Sequence, residues 1–150
     1  MMAIWLCLVT GGYVLAGSSD PDVRKPVFAG SFYPSDPSVL AGTIDRLIDE
    51  TAGKTPRLQG PVVGIMVPHA GYQYSAATAA HAYNAAKGRP YSTIIILGGS
   101  HRIPFRGVAV YPGGFWESPL GRVPVNETVA KGILKSCAGF ARTYPAAFQM

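Results

Sequence analysis

The hydrophobic and polar positions along the chain fall into well-separated blocks. Asp36 suits a helix N-cap and Pro37 the first helical position. Leu40, Ile44, Leu47 and Ile48 then recur at helical spacing, which predicts an amphipathic helix running to about Glu50. A polar stretch, "TAGKTPRLQGP", separates it from "VVGIMV" (62–67). That short run is rich in β-branched residues and bounded by prolines, and it predicts a strand buried on both faces. "SAATAAHAYNAAK" (75–87) is alanine-rich and free of Gly and Pro, so it predicts a helix, which "GRP" stops. "STIIILGG" follows as a second buried strand over Thr93 to Leu97.

Strand, helix and strand at this spacing predict a βαβ unit with parallel, neighbouring strands, and so an α/β fold. "GVAVYP" reads as a third strand. "FWESPLGRVPV" reads as an irregular loop with room for one short strand. Asn126 is placed to cap a helix through about Ser136, and "GFARTYPAAFQM" shows no clear period. No internal repeat is visible.

The first twenty residues stand apart. "MMAIWLCLVTGGYVLAGSS" has an apolar centre and small residues around Ala16, as a cleavable export signal would, but lacks the leading Lys or Arg. Gly11 and Gly12 interrupt it, and it is short for a membrane span. Residues 1–20 are therefore expected to be either a signal peptide or an extension outside the fold, and residues 24–150 the folded part.

With 48% apolar and 14% charged residues, the composition is that of a globular domain rather than a disordered chain. The net charge of +5 would suit a nucleic-acid partner, but the basic residues are scattered singly or in pairs. No stripe tracks a phosphate backbone, and the expectation is no nucleic-acid binding. Cys7 and Cys137 belong to no C-x-x-C pair, so no zinc ribbon or disulfide framework is implied, and Cys137 is expected to be a small buried residue.

The candidate chemistry lies where the predicted strands end. Open α/β sheets bind ligands at the carboxyl edge of their strands. His69 follows the first predicted strand by two residues and His101 the second by four. On neighbouring parallel strands, about 4.8 Å apart, two such imidazoles could share one metal ion. Each could equally be an ordinary polar loop residue. Gly71, Gly98 and Gly99 allow tight loops, Tyr72 and Tyr74 offer hydroxyls, and Arg102 and Arg106 could attract an anion. His81, mid-helix, reads as a surface or packing residue. A catalytic metal usually takes about three protein ligands, and Glu117 and Cys137 are weak candidates for the third. No G-x-S-x-G elbow supports a serine hydrolase.

Four segments in order, "AGSFYP" (29–34), "PHAGYQYS" (68–75), "LGGSH" (97–101) and "SPLGRVPVN" (118–126), resemble the Memo-like family, whose bacterial and archaeal members are called AmmeMemoRadiSam system protein B. The resemblance implies a three-layer α/β/α sandwich similar to the catalytic subunits of extradiol dioxygenases, here incomplete, as its amino-terminal portion. It implies His69 and His101 as ligands to iron or copper, with the ligand set left incomplete in this chain. Tyr74 is assigned as proton donor or substrate contact, and Phe32, Tyr72 and Ser100 as substrate-binding residues. A small molecule or a peptide is the implied substrate class. A non-catalytic peptide- or phosphopeptide-binding module and a metal-dependent hydrolase are the alternative readings. Location in the cytoplasm is implied, unless the first residues direct export. "LGGSH" and "YSAAT" replace the family's "LGPSH" and "YSG", and the family pattern continues beyond Met150 with the remaining ligand.

Overall fold

The computed structural model describes the backbone of residues 4–9, and residues 22–56, 58–144 and 148. It contains helices and mixed strands, an α/β composition, arranged in two compact units: Met1–Val27 with Tyr91–Met150, and Phe28–Pro90.

The first unit holds most of the strands. β1 (Ile4–Val9), β3 (Ile94–Gly99), β4 (Val108–Val110) and β7 (Ala141–Arg142) form one sheet in the order β3-β1-β4-β7. β1 runs antiparallel to β3, with Ile4 opposite Gly99, and parallel to β4, with Ile4 opposite Val108. Part of the amino-terminal segment therefore pairs inside this sheet; residues 10–20 lie outside the described residues. β2 (Val23–Arg24), β5 (Phe115–Ser118) and β6 (Gly121–Pro124) form a second, three-stranded sheet. The stretch expected to be loop with one short strand is thus a hairpin, its turn closed by Ser118 Oγ and Gly121 O at 3.2 Å.

α3 (Glu127–Ser136) begins where expected, because the Asn126 side chain accepts from Val129 N–H at 3.2 Å. Its Ala130, Val129, Ile133 and Leu134 pack with Val110, Val125 and Ala141 into one apolar cluster. Successive strand residues face opposite ways. Ala109, next to Val110, accordingly packs into a second, aromatic cluster with Phe105, Trp116, Tyr144 and Phe148. β4 is covered on both faces, and both residues are fully buried.

β3 has no such cover. It was expected to be buried on both faces, yet Ile94 to Leu97 are each about half exposed or more. β3 also ends the strand order, and among the described residues only β1 pairs with it.

The second unit contains two helices. α1 (Pro37–Ala52) has the expected cap, with Asp36 Oδ1 accepting from Val39 N–H at 2.8 Å. α2 (Tyr72–Ala86) starts three residues earlier than the alanine-rich pattern suggested, because the Gly71 carbonyl already accepts from Tyr74 and Ser75. The helices are stitched by polar groups: Asn84 Nδ2 donates to Ile48 O and Thr51 Oγ1, both at 2.7 Å. Residues 62–67 form no strand, which corrects the βαβ expectation; Val63 and Met66 are almost fully exposed. A β-branched run needs a partner edge to become a strand, and none of the described strands pairs with it. Cys137, expected to be buried, is exposed at the end of α3. No helix among the described residues is long and apolar enough to cross a membrane.

Candidate functional site

In the unit of residues 28–90, two of the loops singled out in the sequence meet. "AGSFYP" folds into a tight turn: Gly30 N–H donates to Tyr33 O at 2.8 Å, and Phe32 N–H to Phe28 O at 2.9 Å. Gly30 sits at φ 83°, a left-handed conformation that a side chain resists. The Phe32 carbonyl then accepts from Tyr72 N–H at 2.8 Å, at the first residue of α2. Phe28 and Phe32 rings lie 5.0 Å apart, and Tyr33 and Tyr72 rings 5.8 Å. Phe32 and Tyr72 are thereby brought together.

His69 lies on the exposed segment leading into α2. The end of that segment is fixed by Ser75, whose buried hydroxyl donates to Ala70 O at 2.7 Å. Ser75 was not singled out for this role, because a serine in a helical pattern gives no sign of the carbonyl it will meet. Burial pushes the Tyr72 phenol above its ordinary range, and the Tyr83 and Tyr33 phenols add to the effect. Tyr74, in the first turn of α2, is 78% exposed. His81 belongs to the helix interface, with Nδ1 3.3 Å from Thr55 Oγ1.

In the other unit, His101 follows β3 directly after Gly99 and Ser100 and is exposed. Ser100 Oγ donates to Ile103 O at 2.7 Å, which closes the turn that carries His101. Arg102 and Arg106 are exposed on the same loop. Glu117, one candidate for a third ligand, is already engaged: its Oε2 lies 2.7 Å from Arg122 Nε and 3.1 Å from Lys25 Nζ. The Arg122 hydrogen bond is the main cause that holds its carboxyl below the usual range; burial opposes it, and Lys25 adds to the lowering.

Among the described residues, no three His, Cys, Asp or Glu side chains are grouped so as to hold a metal ion. An open cavity of about 460 Å³ lies beside β2 and β4, lined among others by Asp22, Arg24, Tyr111, Tyr144 and Phe148. It contains none of the residues proposed for chemistry. The guanidinium of Arg24 is stacked on Trp116, 4.4 Å from the ring centre.

Comparison with known proteins adds the family. The family model described as Memo-like protein matches residues 24–148, which include all four of the ordered segments. A MEMO1 family protein of Thermotoga neapolitana is 44% identical over 124 residues, 76% of this chain and 44% of the relative. One from Pyrobaculum arsenaticum is 42% identical over 123 residues, 78% of this chain and 43% of the relative. One from Thermoplasma volcanium is 36% identical over 114 residues, 76% of this chain and 41% of the relative. The chain thus spans less than half the length of these curated relatives. From the match over residues 24–148, the chain belongs to the Memo-like protein family.

Proposed function

We propose that this chain supplies two ligands, His69 and His101, to an iron or copper site in a dioxygenase-like, three-layer α/β/α domain. Tyr74 serves as proton donor or substrate contact, and Phe32, Tyr72 and Ser100 help receive a small-molecule or peptide substrate. The observation that carries this reading is the hydrogen bond from Tyr72 N–H to Phe32 O. It joins the two aromatic loops that the family resemblance assigns to one pocket, next to the segment bearing His69.

The donor set fits part of such a site. Imidazole nitrogens suit iron and copper, and both histidines are exposed. Two protein ligands are fewer than the three a catalytic metal usually takes. Glu117 is already engaged by Arg122 and Lys25, which makes it a poor third ligand. A bound iron or copper would supply Lewis-acid polarisation of a substrate oxygen. Around it, the protonated phenol of Tyr72 is a hydrogen-bond donor, and Tyr74 presents its hydroxyl to solvent and substrate.

The test is metal analysis followed by oxygen uptake, carried out on the chain joined to the remainder of a relative. Stoichiometric iron or copper, lost in His69→Ala, and oxygen consumption with at least one catechol are the expected outcomes. Metal retained without oxygen consumption across a catechol panel would transfer the reading to a peptide-binding module or a hydrolase. Absence of metal from the complete domain would overturn it.

A further inference from the structure

We draw no further inference here: the strongest candidate, the open cavity beside β2 and β4, carries nothing because its cations are already engaged, Arg24 on Trp116 and Lys25 on Glu117, and nothing among the described residues shows what would occupy it.

Discussion

Gly107 carries the tightest backbone constraint in the segment that follows His101. It sits at φ 92°, and a Cβ there would fall on the carbonyl oxygen of Phe140. That same oxygen accepts from Val108 N–H at 2.9 Å, the bond that starts β4. Gly107→Ala therefore combines a disfavoured backbone angle with a clash that only backbone movement can relieve. It should destabilise the fold by about 2 kcal/mol or more, seen as a lower urea midpoint at constant slope. A midpoint within error of the parent would contradict the assignment. Gly114 has the same geometry against Asp22 O and the bond from Phe115 N–H. Single residues of this kind are hard to read from sequence. "RGV" and "PGGF" announce turns, but the carbonyl that excludes a side chain comes from residues far along the chain.

At the scale of elements, Glu117 clamps the three-stranded sheet. It faces Arg122 across the β5–β6 hairpin and also holds Lys25, next to β2. Its folded pKa lies below the usual 4.5, chiefly because of the Arg122 hydrogen bond. The sign follows from linkage: the contribution is fully present above the unfolded value and is lost as pH falls through the lower folded value. Between about pH 6 and pH 3, the stability gap between parent and Glu117→Gln should close. A gap that stays constant over that range would show that the clamp adds nothing. Elements set by local signals were legible beforehand. Asp36 and Pro37 marked the start of α1, and Asn126 marked that of α3, because a cap needs only its own next three residues. Residues 62–67 show the limit. An apolar β-branched run states that it can be a strand, while the pairing that would make it one is non-local. Ile4–Val9 shows the converse, since nothing in an apolar segment resembling an export signal reveals that it will lie between β3 and β4.

For the whole molecule, the candidate site was legible as motifs and not as geometry. "PHAGY" and "LGGSH" stood out at once, and the chain belongs to the family they suggested. Phe32 and Tyr72 meet within one unit, whereas His69 and His101 belong to different units. With two proposed ligands where a catalytic metal usually takes about three, the 150-residue chain is expected to bind metal weakly, and the central proposal to be tested is that His69 and His101 bind the same ion. Anaerobic cobalt(II) titration of the parent, His69→Ala, His101→Ala and the double variant tests this directly. If the ion is shared, each single substitution weakens binding by about tenfold or more, and the double variant is hardly worse than either single one. Losses that add independently, or a parent that binds no more tightly than the double variant, would contradict the account.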